Sequence, residues 1–223
     1  MQYFVYQDNT ITPKEDVVFE CKGSKFIALL FPLSTSSNNI NTKDKDLDSC
    51  HLMRNEILAQ LQSSHKKAAH FVWAFRIFNK YHQVIEGSSD DGEPKGSSGA
   101  PMLEVLRGKC LINVFCVCIR YFGGTKLGIG GLVRAYTQAT LQAIAYAEGC
   151  GQFIPYQRQD ITTIHAKSSA YNKILHLATQ HKLGVVNREF LQSHITLQLQ
   201  GSAKDLESFL QAYKNLYYDS NIS

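Results

Sequence analysis

The chain has 223 residues, 44% of them hydrophobic and 19% charged, with a net charge of +4 and a pI near 8.7. These totals exclude a disordered chain, which lacks the apolar residues to fill a core, and a histone-like polycation, and they leave room for one large domain or two smaller ones. The longest apolar runs, residues 26–32 and 111–119, fall short of the roughly 20 residues of a spanning helix, and the start "MQYFVYQDNT" has no basic and apolar leader, so a cytoplasmic protein with no membrane partner is expected.

Residues 17–33, "VVFECKGSKFIALLFPL", are rich in β-branched and aromatic side chains around Lys22-Gly23-Ser24 and predict two strands joined by a turn. Residues 34–46 are polar and full of turn formers, which predicts an exposed loop. Apolar residues from Leu52 to Leu61 recur at helical spacing and predict a helix ending near His65. "AAHFVWAFRIF" and "YHQVIEG" predict a strand pair turning at Asn79-Lys80, and the polar stretch "SSDDGEPKGSSGAP" (88–101) follows it directly. "APMLEVLRG" predicts a short helix with proline in its first turn. "LINVFCVCIRYF" (111–122) is a near-continuous apolar run, the pattern of one strand covered on both faces. It runs into "GGTKLGIGG" and then a helix over 131–147, packed through Leu132, Tyr136, Ala139, Ala143 and Ala147.

Glycines and Pro155 after that helix predict a domain boundary near residue 152, giving domains 1–152 and 153–223. Beyond it the order strand, helix, strand, strand, helix is the split-βαβ, ferredoxin-like pattern, with Ser168 or Ser169 and Ser202 as helix caps. The fold class is therefore α+β. The six cysteines (21, 50, 110, 116, 118 and 150) contain no C-x-x-C pair and do not cluster with histidine, so neither a metal nor a cofactor is expected.

Two loops carry the candidate chemistry. In "RYFGGTKLGIGGLVRAY" a strand enters a glycine-rich loop that opens a helix, which offers backbone N–H groups and the positive end of a helix dipole to an anion. Lys126 and Arg134 add charge, and Arg120 ends the strand. Neither G-x-x-x-x-G-K-[ST] nor G-x-G-x-x-G is present, so a nucleotide fingerprint is absent. The bland alternative is that Gly123, Gly124, Gly128, Gly130 and Gly131 serve only backbone geometry. In the first loop, Asp90 and Asp91 could act as acid and base or hold Mg²⁺, yet Asp-Gly-Glu-Pro also reads as a tight turn whose carboxylates satisfy backbone N–H groups. On the strand before it, Phe71, Trp73, Phe75 and Arg76 interleave as a base-stacking face would, and as a buried face also would. A lone histidine there, His70, reads as a packing residue.

Together, "GSKFIA", "SDDGEPKGSSGAPMLEVL" and "RYFGGTKLGIGGLVRAY" closely resemble the IMPACT/YigZ family. The resemblance implies an N-terminal domain like domain IV of elongation factor G and a ferredoxin-like second domain like its domain V. Eukaryotic members regulate translation under amino-acid starvation, which implies a translation-linked role here. On this reading the chain is a non-enzymatic regulator that binds RNA or a ribosome-associated partner. Lys126 and Arg134, helped by Arg120 and the backbone of Gly123, Gly124, Gly128, Gly130 and Gly131, hold phosphates. In the signature loop, which also holds Gly92, Pro94 and Ser97, the carboxylates of Asp90, Asp91 and Glu93 order the first loop against the second, through an ion pair. Two alternatives stand beside it: an enzyme acting on a phosphorylated small molecule with Mg²⁺, and a protein-docking module.

Overall fold

The computed structural model describes residues 2–6, 17–33, 45–79 and 81–218, and the chain divides into two units, Met1–Tyr156 and Gln157–Ser223. The first runs β1 (Phe4–Tyr6), β2 (Val18–Cys21), β3 (Ser24–Pro32), α1 (Lys45–Ser64), β4 (His70–Phe78), β5 (Val84–Ser89), α2 (Gly99–Gly108), β6 (Leu111–Ile112), β7 (Val114–Tyr121), α3 (Ile129–Gly149) and β8 (Phe153–Pro155).

Strands β2-β3-β7-β4-β5 form one antiparallel sheet, with β7 at its centre. The two faces differ in bulk because side chains alternate along each strand. Ala28, Ala74, Cys116 and Cys118 present small groups to one face, and the alanine-bearing stripe of α3 (Ala135, Ala139, Ala143) packs there together with Met102 and Leu106 of α2. Ile27, Phe71, Phe75, Phe115 and Ile119 fill the other face, against Leu61 of α1. Every residue from Val114 to Arg120 is buried, as a strand covered on both sides requires.

The run 111–122 is not one strand. Asn113 sits at φ 54, a left-handed conformation that asparagine tolerates better than branched residues. Its Oδ1 accepts from the Phe78 N–H at 3.0 Å, and its carbonyl accepts from the Leu33 N–H at 2.9 Å. The short β6 before it leaves the main sheet and joins a second one, β6-β1-β8. That small sheet also moves the division between units past the expected residue 152, because Phe153, Ile154 and Pro155 pair with β1. Of the expected loop 34–46, residues 34–44 lie outside the described residues, and Lys45–Asp46 already belong to α1.

Topology brings three turns to one end of the sheet. Strands β5 and β7 are both antiparallel to β4 and therefore parallel to each other, so the loops that follow them, 90–98 and 122–128, emerge at the same end. Strand β3 runs opposite to β7, so the Lys22-Gly23 turn that precedes it lies there too. That turn has φ 46 and φ 79 at its two central residues, the twist favoured in a two-residue hairpin.

The second unit comprises β9 (Asp160–Lys167), a 3₁₀ turn (Ser168–Ala170), α4 (Tyr171–Gln180), β10 (Gly184–Leu191), β11 (His194–Gly201) and α5 (Ala203–Tyr218). Its sheet order is β10-β11-β9, with β11 antiparallel to both neighbours, so β9 and β10 are parallel strands split by a third. Ile164, Ile195, Leu197 and Leu199 meet Ile174, Leu177, Leu206 and Phe209 on one face. Ser202 accepts from the Asp205 N–H at 3.1 Å and donates to its carboxylate at 2.6 Å, so it caps α5 as expected. Neither Ser168 nor Ser169 caps α4, because they are taken into the 3₁₀ turn and Ala170 holds the cap position without a side-chain bond. Of the tail "YYDSNIS", Tyr217 and Tyr218 continue α5, and residues 219–223 lie outside the described residues.

Candidate functional site

The loop after β5 is folded by its carboxylates. Asp90 Oδ1 accepts from the Ser98 hydroxyl at 2.6 Å and from the N–H groups of Gly99 and Ser98 at 2.8 and 3.1 Å, and Oδ2 accepts from the Gly96 N–H at 2.7 Å. Burial pushes the Asp90 pKa up, but the bonds from Ser98, Gly96 and Gly99 together outweigh it and hold the carboxyl below its usual range. Asp91 Oδ2 accepts from the Phe71 N–H at 2.5 Å, and the Asp91 carbonyl lies 2.7 Å from His70 Nδ1, which must donate because a carbonyl only accepts. The hydroxyl of Ser97, fully buried, donates to the Pro94 carbonyl at 2.6 Å. The Asp90 carboxylate is thus bound by the loop's own backbone and that of Asp91, an exposed residue, by β4, and the two do not converge on a common external point.

Glu93 points into the protein. Its Oε1 accepts from Arg120 Nη1 at 2.5 Å and from the Tyr136 hydroxyl at 2.8 Å, and His70 Nε2 lies 3.9 Å away. Burial, the neighbouring Cys118 and the Glu93 carboxylate all push the Tyr136 pKa far up, so the hydroxyl remains a donor. Cys118 beside it is raised in the same way, and burial carries the Cys116 thiol to about 12, so neither is a thiolate. Arg120 and Glu93 are 4% and 9% exposed. Arg120 also lies over the rings of Phe26 and Phe122, at 5.5 and 5.6 Å from their centroids.

This burial corrects one expectation: Arg120, read as a helper at the anion site, is not on the surface. It ends a strand whose last inward position faces α3, and its charge is met by Glu93. The expected ion pair forms, from Glu93 of the first loop to the end of β7 that leads into the second. Gly123 is also not a free donor, because its N–H bonds to Ser24 Oγ at 3.2 Å. A Cβ there would lie 1.9 Å from the Gly23 carbonyl carbon, so the hairpin turn and the glycine loop meet backbone to backbone.

The rest of the glycine loop faces outward. Gly124, Lys126, Gly128, Gly130 and Arg134 are exposed and Gly131 is half-buried. Gly128, at φ 72, is the N-cap of the 21-residue α3. The Arg134 guanidinium folds back to within 3.8 Å of the Cβ position of Gly130, over the first turn of α3. Lys22, from the abutting hairpin turn, joins this group, which reading the glycine loop in isolation missed; its turn signature was the available signal. Lys22 and Arg134 line a groove of about 580 Å³ with Phe19, Leu127 and Gln138. Lys22, Lys126 and Arg134 pair with no carboxylate among the described residues. Of the two readings of β4 the buried face holds, because Phe71 and Phe75 are buried and Arg76 is held by Glu86 at 3.0 Å. Trp73 carries the Arg54 guanidinium over its ring at 4.8 Å.

The family described as the Impact N-terminal domain matches residues 22–144 of this chain. A protein of Haemophilus influenzae described as an IMPACT family member is 31% identical over 201 residues, which cover 89% of this chain and 88% of the relative. IMPACT family member YvyE of Bacillus subtilis is 40% identical over 102 residues, covering 43% of this chain and 46% of the relative. A crystal structure of a hypothetical protein matches 96% of this chain and 92% of its own with a TM-score of 0.68 at 24% identity, a likeness of fold.

Two outcomes test this geometry. Removing one partner of a buried ion pair costs about 3–5 kcal/mol, because the other charge is left unpaired. Glu93→Gln should therefore lower unfolding stability in urea by roughly that amount, and the joint change Glu93→Leu with Arg120→Met should cost less than Glu93→Gln alone. Because the folded pKa of Asp90 is depressed, its contribution is fully present above the unfolded value of about 3.9 and is lost as pH falls through the folded one. Stability of the unchanged protein should accordingly fall more steeply below about pH 4 than that of Asp90→Asn, read as urea midpoints across pH.

Proposed function

This chain belongs to the IMPACT family, and on that premise we propose that it is a translation-linked regulator that docks on RNA phosphates through the basic end of its first unit. The translation link is supported by the regulatory role that the resemblance to eukaryotic members implies. The observation that carries the docking surface is the set Lys22, Lys126 and Arg134, exposed and without carboxylate partners among the described residues, around an open glycine loop at the start of α3. Phosphates supply affinity without choice of sequence, which fits a surface with few cations and a modest net charge of +4. In this reading Asp90, Asp91 and Glu93 are positioning residues: they hold the first loop, and through Arg120 the second, in one arrangement.

Binding through three phosphate contacts on a single strand gives a slope of log affinity against log salt of about −2. Purified protein sedimented with ribosomes, and titrated with RNA, should show this dependence between low and physiological salt. Lys126→Glu with Arg134→Glu should abolish most of the binding while leaving the thermal midpoint close to that of the unchanged protein, since both side chains are exposed. Binding that persists at high salt and after nuclease treatment would contradict phosphate docking and assign the surface to a protein partner.

A further inference from the structure

We infer that the RNA bound at this end is unpaired, and that Phe122 is the platform on which one of its bases stacks; the inference rests on the docking surface proposed above. Phe122 is 52% exposed, the first residue beyond β7, four positions before Lys126. A solitary exposed phenylalanine is ordinary on a protein surface, and three features set this one apart. Its ring is not loose: the guanidinium of Arg120 lies over it at 5.6 Å, and that guanidinium is itself fixed by Glu93 at 2.5 Å and lies over the Phe26 ring at 5.5 Å. One face of the Phe122 ring is therefore occupied by a buried cation, and the exposed part is available to a flat partner.

The backbone behind the ring is also held. Gly123 bonds to Ser24 Oγ at 3.2 Å and abuts Gly23, so the aromatic residue stands at a fixed point and loses little freedom on binding. Finally, the cations that follow, Lys126 and Arg134, lack carboxylate partners among the described residues, so what approaches the ring is selected for negative charge. An aromatic platform flanked by phosphate-neutralising cations is the arrangement by which proteins hold single strands, since every base offers a π face while a duplex hides its own. A purely apolar protein partner would have no use for the cations, and a duplex would have none for the ring.

Stacking and charge separate experimentally. Fluorescently labelled single-stranded and duplex RNA of equal length are titrated with the unchanged protein, Phe122→Leu and Phe122→Tyr across a salt series. Phe122→Leu keeps apolar bulk and removes the π face. It should weaken single-strand binding by about fivefold or more with an unchanged salt slope, whereas Phe122→Tyr should bind like the unchanged protein. Phe122→Trp supplies a second readout, because stacking of a base should quench the added indole. Equal single-strand affinity of Phe122→Leu, or no quenching in Phe122→Trp while RNA still binds with a salt slope, would overturn the stacking role and leave phosphate docking standing. Tighter binding of duplex than of single strand by the unchanged protein would overturn it too. Absence of salt-dependent binding to either RNA would remove the underlying reading and this inference with it.

Discussion

The buried pair Glu93–Arg120 is the constraint on which the rest of the first unit depends. Two opposite charges at 2.5 Å, each nearly inaccessible, have left water at a cost of several kcal/mol per ion, which the pair offsets only if further groups complete their bonding. Tyr136 does so for Glu93 at 2.8 Å, and the rings of Phe26 and Phe122 flank Arg120. Glu93 belongs to the loop after β5, Arg120 to the end of β7 and Tyr136 to α3. The pair thus ties two strand–loop–helix segments together at a point where neither can move without exposing the other's charge.

Everything functional in the reading of this unit stands on that tie. Parallel β5 and β7 bring their loops to one end, but parallel strands separated by β4 would leave those loops apart. The Glu93 side chain bridges that gap beneath the surface, while the Gly23–Gly123 contact holds the β2–β3 hairpin turn against the glycine loop. Asp90, Glu93 and Ser97 are bonded within the protein, and the exposed positions at this end include Lys22, Lys126, Arg134 and Phe122. The Glu93–Arg120 pair is hidden, while Lys22, Lys126 and Arg134 are exposed with no carboxylate partner among the described residues, and the proposed anion-facing surface rests on that division.

Much of this arrangement was legible in the chain. The β-branched and aromatic residues around the Lys22-Gly23 turn, the apolar run from Leu111 and the helical stripe of Leu132, Tyr136 and Ala139 are local signals, and local signals survive folding. What did not read out depends on distant partners. Strands β1, β6 and β8 have only two or three residues each, too short for any periodicity, and exist because they pair with one another. Arg120 looked like a surface cation because arginine at a strand end usually is one; only the arrival of Glu93 from 27 residues away makes its burial tolerable. Lys22 joined the basic group through a backbone contact between Gly23 and Gly123, one hundred positions apart, which no spacing rule encodes.

On this structure Glu93 and Arg120 hold the two loops as one body. Amide hydrogen exchange on Glu93→Gln, compared with the unchanged protein, tests it most directly. Protection should fall together in residues 92–98 and 122–128, including the Gly123 N–H, while the β3 core around Ala28 keeps its protection. Faster exchange confined to the neighbours of residue 93, with 122–128 unaltered, would contradict it.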